Sequence, residues 1–419
     1  MNSETPSAST SHESFQDFNE EFNRDGAIRK IAHVVESMDD DYGGPARSIP
    51  DLCRCQQGAG LHPVIYTGSH DGKVRNSQLA SQPLPMKVFS QIGPSKLRFC
   101  PALLIALLAD ARARRIQAIH LHSPWNFVAL AAGIASLVGG VRLIFSPRGS
   151  LFPWSLSQGR LRKMVAWFVF MRMMLHRAHA IHVTDQSEAD AVKSLGLTTR
   201  IDVVPNSIDL GEVESLPQRE NAKSILGLQA NRRYALFISR IHPKKGLLEL
   251  ILAWEAEQIA KFGWQLLIVG PESDPVYAAE VRALAAMPSL AGSVRLMAPV
   301  YGPGRLNFFA ASDLFILPSH SENFGNAIAE AMLFGLPILT TTGTPWTDIT
   351  AQGLGWYIQL NPTELRRALR EAAEMHPDAL RSMGSRGRDY VSSRFSRASL
   401  HEKVWRLYND SPYLKFPCG

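Results

Sequence analysis

Short apolar runs alternate with longer helix-forming stretches from Ile28 to Leu360. Runs of four to eight apolar residues separated by helical periods are the pattern of parallel strands covered by helices. One sheet is predicted from residues 28–35, 63–66, 116–121, 141–145, 180–183 and 201–204, and a second from 234–239, 265–269, 294–297, 314–317 and 337–341. The polar stretch 206–231, which holds Pro217 and several charges, reads as the linker between them. After Pro362 only helical periods remain, and a last helix near 396–408 is expected to pack back on the first domain. The predicted division is a disordered tail at 1–25, an acceptor-side Rossmann-like domain at 26–215, a nucleotide-sugar domain at 216–395 and a returning C-terminal segment at 396–419.

A chain of 419 residues, 45% apolar and 20% charged, supports two α/β cores of ordinary soluble composition. Residues 1–25 are polar and acidic with Arg24 as the lone base, and form neither a signal peptide nor a folded element. Cys53, Cys55, Cys100 and Cys418 make no C-x-x-C pair, so neither a zinc site nor a disulfide framework is indicated, and a reducing, cytoplasmic setting fits. The weakly polar stretch 127–141 is shorter than the ~20 residues of a bilayer span, and reads as a buried helix followed by a buried strand.

Charge is uneven. Between Lys96 and Arg177 there are twelve basic residues against Asp110 alone. Such a half-domain presents a positive field. No nucleic-acid-binding motif accompanies it, so an anionic membrane surface or a lipid phosphate is the expected partner, with peripheral contact at the inner face of the plasma membrane. The helix-forming run 164–175 is apolar nearly all round with basic residues toward its ends, which fits either a partly buried helix or shallow membrane contact.

The strongest chemical signal is Ser319 to Pro337, where Glu322 and Glu330 stand with seven residues between them at a strand-to-helix junction. The same interval occurs at Glu13/Glu21, Glu212/Glu220, Glu249/Glu257 and Glu272/Glu280, so context carries the weight. At the carboxyl end of a parallel strand the two carboxylates face the ligand crevice, and each can accept two directed hydrogen bonds from a diol. Gly325 permits close backbone approach, and the N–H groups of Asn323, Phe324 and Asn326 favour an anion or a sugar hydroxyl.

Arg240 and Lys245, beside Gly246 after the first strand of the second domain, suit a diphosphate. Gly43 and Gly44 begin a helix across the cleft and offer a phosphate cradle, with Arg47 in its first turn. Asp39, Asp40 and Asp41 imitate a metal-binding acidic motif but have no supporting carboxylate cluster. His122 ends a strand where it could touch a donor hydroxyl or assist the acceptor hydroxyl, while His120 reads as structural. Trp125 and Arg148 stand on the same rim, the arginine suited to an acceptor phosphate.

In this order Gly43-Gly44, His122, Pro205-Asn206, Arg240/Lys245 and Glu322/Glu330 resemble the retaining GT-B glycosyltransferases of family GT4, over residues 28–408. Ser146 to Gly149, Phe152 to Trp154 and Thr344 to Trp346 look like the subgroup that builds bacterial polysaccharide or lipopolysaccharide units on a lipid carrier. The resemblance implies an α/β fold of two Rossmann-like domains across a cleft. It assigns Arg240 and Lys245 to the diphosphate, Glu330 to the ribose, Glu322 with Asn323, Phe324, Gly325 and Asn326 to the donor sugar, and His122 to the reacting centre. It implies no metal and no cofactor beyond a nucleoside-diphosphate sugar as donor, and a lipid-linked or oligosaccharide acceptor bound near Arg47, Trp125 and Arg148. Two departures stand out: Ser207 where a glycine is usual, and Asp348 where a glutamate usually follows Pro-Trp. The expected activity is hexosyl transfer in cell-surface glycan synthesis. The rivals are a noncatalytic nucleotide-sugar-binding partner and an epimerase of the same fold.

Overall fold

The computed structural model describes residues 27–93, 97–122, 124–157 and 160–409. The tail expected at 1–25, and Lys96, Ser123 and Cys418, lie outside the described residues, as do the side chains of Trp154, Arg160 and Arg162.

The first sheet comprises β1 (Lys30–Val35), β2 (His62–Ser69), β3 (Met86–Ser90), β4 (Ala118–Leu121), β5 (Arg142–Phe145), β6 (Ala180–Val183) and β7 (Ile201–Val203). The second comprises β8 (Arg233–Ile238), β9 (Trp264–Val269), β10 (Val294–Met297), β11 (Leu314–Leu317), β12 (Ile338–Thr341) and β13 (Gly355–Ile358). Their orders are β3-β2-β1-β4-β5-β6-β7 and β10-β9-β8-β11-β12-β13, and the paired strands run parallel. Each order reverses direction beside its first strand, between β1 and β4 and between β8 and β11. Those two switch points open the crevices where loops can hold ligands. The central strands are buried on both faces, as their continuous apolar runs require.

Two strands escape the sequence pattern, and both are edges. In β3 no residue is fully buried, and β13 alternates half-buried with buried positions, so neither has a continuous apolar run. The stretch 206–231 is not an open linker. Leu210–Val213 forms a 3-10 turn, and the helix Arg219–Ile225 packs on the helix Arg305–Ala311. Its charges are taken up locally: Arg219 donates to the Ser312 carbonyl at 3.0 Å, and Lys223 Nζ donates to the carbonyls of Ala230 (2.8 Å) and Arg232 (2.9 Å).

The chain crosses between domains twice, side by side. Ile208 N–H donates to the Phe395 carbonyl at 2.8 Å, next to a bridge between Ile208 and Ser396. After this return the helix Arg397–Tyr408 lies on the helix Gly44–Gly58, burying Leu400, Val404, Trp405, Leu407 and Tyr408 with Leu52 and Cys55.

The helix Phe127–Gly139 buries one face through Val128, Ala129, Ala131, Ala132 and Ala135, while Leu137 and Val138 in its last turn are exposed. The segment 160–177 is helical with a π-turn at Trp167–Met171. Its apolar side chains divide: Met171, Met174 and Leu175 are buried, whereas Met164, Val165, Phe168, Val169 and Met173 face outward. Among the described residues no helix is long and apolar enough to cross a membrane.

Candidate active site

The chain leaving β8 turns sharply through the 3-10 segment Pro243–Lys245, where the His242 side chain accepts from the Lys244 N–H at 3.1 Å. Gly246 closes the turn at φ 65°, and a Cβ there would sit 2.1 Å from the Pro318 carbonyl oxygen. Only glycine allows the β8 and β11 loops to meet so closely. The turn aims Lys245 at Glu322, with which it forms an ion pair, and Glu322 also accepts from the Ser319 hydroxyl at 2.7 Å. Burial works against the Glu322 carboxylate, but Lys245, Ser319 and Lys244 outweigh it and hold the group below the usual carboxylate range.

Behind Glu322, Phe324 packs on Trp346 and Phe395, and Trp346 Nε1 donates to the Phe324 carbonyl at 2.6 Å. The Phe324 side chain is therefore a support for the loop. Gly325, at φ 80°, starts the helix Asn326–Leu333, and Glu330 falls on its second turn, inside the same crevice. Glu330 meets Arg47 Nε at 2.8 Å and Arg305 Nε at 3.3 Å, and both arginines also pair with Glu212. Burial raises Glu330 despite Arg47, and raises Glu212 to about 7.

A cavity of about 570 Å³ gathers Gly43, Gly44, Arg240, Lys245, Glu322, Asn323, Phe324, Gly325, Asn326 and Glu330 from the two sheets. The two domains meet here: a Cβ on Gly43 would lie 3.6 Å from Arg240, and one on Gly44 4.0 Å from Asn326, both ordinary contacts, and it is the φ of 95° at Gly43 that favours glycine. Arg47, expected on the acceptor side, lines this cavity instead, because its helix points its first turn across the cleft at Glu330. Asn206 bridges the domains too, accepting from Arg148 and donating to Asn326, both at 2.8 Å. Ser207 does not adopt a positive φ, so the glycine usual at this position is not required. Asp348 accepts from Tyr390 at 2.8 Å and faces away from the cavity, toward the helix Pro377–Phe395. The Asp39 and Asp40 carboxylates accept from the backbone N–H groups of Arg75 (2.7 Å) and Ser77 (3.0 Å) and so fasten a neighbouring loop.

A second cavity, about 810 Å³, lies wholly on the first domain and is lined by Glu36, Phe99, His122, Trp125, Phe127, Arg148, Ser150, Lys163 and Phe170. Arg148 lines both cavities. It sits at φ 52°, a costly conformation for a residue with a Cβ, and is held there by Asn206 and by Ser48 Oγ at 3.2 Å. Glu188, almost wholly buried, accepts the N–H groups of Gly149 (2.5 Å) and Thr184 (3.0 Å), anchoring the same loop; burial pushes its carboxyl up to about 7. The indole Nε1 of Trp125 and the Ser150 hydroxyl in this cavity, and Asn323 Oδ1 in the other, are buried without a hydrogen-bond partner among the described residues. Unpaired buried polar groups at a cavity wall are what an incoming ligand satisfies.

His122 is 2% exposed and belongs to a group the sequence reading missed. His33 on β1, His120 on β4 and His182 on β6 are all buried on one side of the sheet, and His33 stands opposite His120 in register. A repeated pattern, a histidine inside an apolar strand run at Ala32-His33-Val34, Ile119-His120-Leu121 and Ile181-His182-Val183, was the available signal. His33, His120 and His122 bring ring nitrogens within 4.8 Å of one another. They fit a metal poorly: the His120 and His122 rings stack at 4.2 Å between centroids rather than converging, and the nitrogens are engaged in hydrogen bonds. Burial depresses these imidazoles, to about 3 for His33 and His182.

Two family models match. The one described as Glycosyltransferase Family 4 covers residues 42–212, which hold β2 to β7, and Glycosyl transferases group 1 covers 232–374, which hold β8 to β13. The chain belongs to glycosyltransferase family 4. A D-inositol 3-phosphate glycosyltransferase of Segniliparus rotundus is 32% identical over half of this chain, the match spanning 46% of the length of that relative. A GDP-mannose:cellobiosyl-diphosphopolyprenol alpha-mannosyltransferase of Xanthomonas oryzae is 22% identical across 83% of this chain and 88% of its own. The crystal structure of Anabaena HepE in complex with UDP and glucose superposes with a TM-score of 0.71 at 20% identity, covering 90% of this chain and 98% of HepE. WaaG, a glycosyltransferase involved in lipopolysaccharide biosynthesis, gives 0.68 at 16% identity over 91% of this chain and all of its own. This family 4 glycosyltransferase has the GT-B fold.

Proposed function

We propose that this glycosyltransferase moves a hexose-type sugar from a nucleoside-diphosphate sugar to a lipid-linked or polysaccharide acceptor, with retention of configuration and without a metal, in the synthesis of a cell-surface glycan. The observation that carries the reading is the interdomain cavity in which Arg240 and Lys245 stand opposite the Gly43-Gly44 turn, with Glu322 and Glu330 beside them. Arg240 and Lys245 suit the diphosphate and its departing charge; hydrogen bonds to charged groups contribute about 1.5–3 kcal/mol each. Glu330 suits the ribose diol, and Glu322 with the Asn323 to Asn326 loop suits the sugar.

Within the cleft these groups pair with one another: Lys245 holds Glu322, and Arg47 and Arg305 hold Glu330. Donor binding exchanges partners. The diphosphate takes Lys245, and the ribose hydroxyls displace Arg47 from Glu330. The acceptor then occupies the larger cavity, where Arg148, which also lines the donor cavity, stands 3.4 Å from His122. The match to the polyprenol-linked mannosyltransferase across most of both chains favours a GDP-sugar and a diphosphopolyprenol-linked glycan.

The same cavity reaches Lys163 and Phe170, on the segment whose Phe168 and Val169 are 70% and 71% exposed. With Arg172 and Arg177 close by in sequence, this face suits shallow contact with an anionic bilayer, from which a lipid carrier would present its glycan.

The test is a thermal-shift panel of UDP, GDP, ADP and TDP with their common sugars, followed by turnover of the donor that stabilises most. A ligand at 100 times its dissociation constant stabilises by about 2.7 kcal/mol. Turnover that needs an acceptor supports transfer. Conversion of the donor without acceptor would establish an epimerase, and stabilisation without any turnover a noncatalytic partner.

A further inference from the structure

The four buried histidines belong to one continuous file of hydrogen bonds that runs from the cleft to the C-terminal helix. Arg148 lies 3.4 Å from His122 Nδ1; His122 Nε2 lies 2.9 Å from His33 Nδ1; His33 Nε2 lies 2.7 Å from Gln56 Oε1. Gln56 Nε2 donates to the Tyr408 hydroxyl at 2.6 Å, and that hydroxyl lies 2.6 Å from His120 Nδ1. His120 Nε2 lies 3.3 Å from His182 Nδ1, and His182 Nε2 lies 2.8 Å from the Val204 carbonyl oxygen.

The two ends fix the direction of every proton between them. A carbonyl oxygen only accepts, so His182 carries its hydrogen on Nε2 and offers a lone pair at Nδ1. His120 must then donate from Nε2 and accept at Nδ1 from the Tyr408 hydroxyl. Tyr408, having given its one hydrogen, accepts from the Gln56 amide, whose oxygen accepts from His33 Nε2. His33 Nδ1 is left as an acceptor, so His122 donates to it from Nε2. The last free lone pair, on His122 Nδ1, meets a guanidinium that only donates. The file closes with every histidine neutral and every bond between them donated once.

Turning the Gln56 amide over would reverse the bonds up to His120 and leave His182 facing both His120 and Val204 as a donor, which requires an imidazolium. Full burial beside Arg148 opposes that charge. Ser146 Oγ, 3.5 Å from His182 Nδ1, does not change the outcome, because it gives its hydrogen to the His182 carbonyl at 3.1 Å. Nor does the file conduct protons, since a carboxamide at Gln56 and a carbonyl at Val204 pass none along.

We propose that Tyr408 and Gln56, which line neither cavity, are positioning residues for the reaction: they hold His122 as the neutral Nε2–H tautomer, so that Nδ1 faces the cleft as a hydrogen-bond acceptor. When Arg148 turns to a substrate anion, a substrate hydroxyl donates to His122 Nδ1 in its place. The helix Arg397–Tyr408, by docking on the helix Gly44–Gly58, thereby completes the catalytic cleft it does not touch. The consequence for reactivity rests on the transferase reading above; the tautomer does not.

The test joins ring-nitrogen spectra of ¹⁵N-histidine-labelled protein to kinetics of wild type and Tyr408→Phe. Wild type is expected to show His33, His120, His122 and His182 as neutral Nε2–H rings that do not titrate between about pH 5.5 and 8, well clear of the free imidazole value near 6.5. Tyr408→Phe frees the Gln56 amide, so in the donor-saturated protein, where Arg148 has turned from His122 Nδ1 to the substrate anion, neither end holds the file and His33 and His122 become mixtures of tautomers. Then kcat falls about tenfold, the equivalent of one hydrogen bond, with the donor KM within about twofold. An Nδ1–H or cationic His122 in wild type overturns the proposal without any variant. So does a tautomer mixture with unchanged kcat, or a lost kcat with tautomers intact. Should wild type transfer nothing, the transferase reading fails while the spectra still decide the tautomer.

Discussion

Removing Lys245 alone should destabilise the protein, removing it together with Glu322 should not, and the two changes should have the same consequence for binding. The two side chains are paired and only about a tenth exposed, at 10% and 11%, and Glu322 retains Ser319 as its remaining direct hydrogen-bond partner. Lys245→Met keeps the apolar stem but strands a buried carboxylate, a change that costs about 3–5 kcal/mol where one partner of a buried pair is lost. Lys244, close enough to act on the same carboxylate, places the loss at the lower end. For a domain of this size about 3 kcal/mol is roughly a 10 °C fall in Tm. The double variant Lys245→Met/Glu322→Gln removes both charges and should return to within about 1 kcal/mol of wild type, since the penalty is an unpaired charge and not a missing contact. Donor affinity behaves otherwise: both variants lack the cation for the diphosphate and should bind about 10–150-fold more weakly, the equivalent of about 1.5–3 kcal/mol. Urea unfolding and calorimetric titration of the nucleotide read the two quantities separately. A double variant no more stable than the single one, or either variant with wild-type donor affinity, would refute the reasoning.

Glu330→Gln should raise the donor KM about tenfold with kcat nearly kept, because a ribose contact is made equally in the ground and transition states; steady-state kinetics at saturating acceptor checks it. Gly246→Ala, which would place a Cβ 2.1 Å from the Pro318 carbonyl at φ 65°, should cost about 2–4 kcal/mol and show as a lower Tm. Glu188 is raised by burial to about 7, so its stabilising neutral form is fully present below the unfolded value near 4.3 and is lost as pH rises through about 7. About 1.4 kcal/mol of that loss falls between pH 6 and 8, and Glu188→Gln should remove it from urea midpoints compared at those two pH values, while Glu212, raised in the same direction, keeps its own part. Phe168→Ser with Val169→Ser should weaken co-sedimentation with anionic vesicles about tenfold and leave Tm unchanged, because both side chains already face outward.

What the chain discloses in advance follows from which interactions are local. Strands buried on both faces announce themselves as apolar runs, which is why β1, β4, β8 and β11, and the loops that end them, were legible. Edge strands β3 and β13 have water on one side and lose that signature. The loop residues Lys245 and Glu322 were legible because a turn demands glycine and a strand end demands a helix start, both short-range requirements. That Arg47 lines the interdomain cavity was not legible for the converse reason: whether a helix's first turn faces the acceptor or the opposite domain depends on how two sheets sit together. Glu212 shares that network from the stretch read as linker, and Arg305 joins it from a helix between two predicted strands. The histidine file is the extreme case. It joins residues as far apart as His33 and Tyr408, and no single stretch of sequence carries more than its apolar setting.

The central claim is sugar transfer at the cleft between Lys245, Glu322 and Glu330. It is tested most directly by incubating purified protein and Lys245→Met with a labelled α-linked GDP- or UDP-sugar and a diphosphopolyprenol-linked oligosaccharide, then determining the anomeric configuration of the product by NMR. The account predicts an α-linked product from wild type and almost none from the variant. A β-linked product would contradict retention, and equal product from the variant would contradict the site.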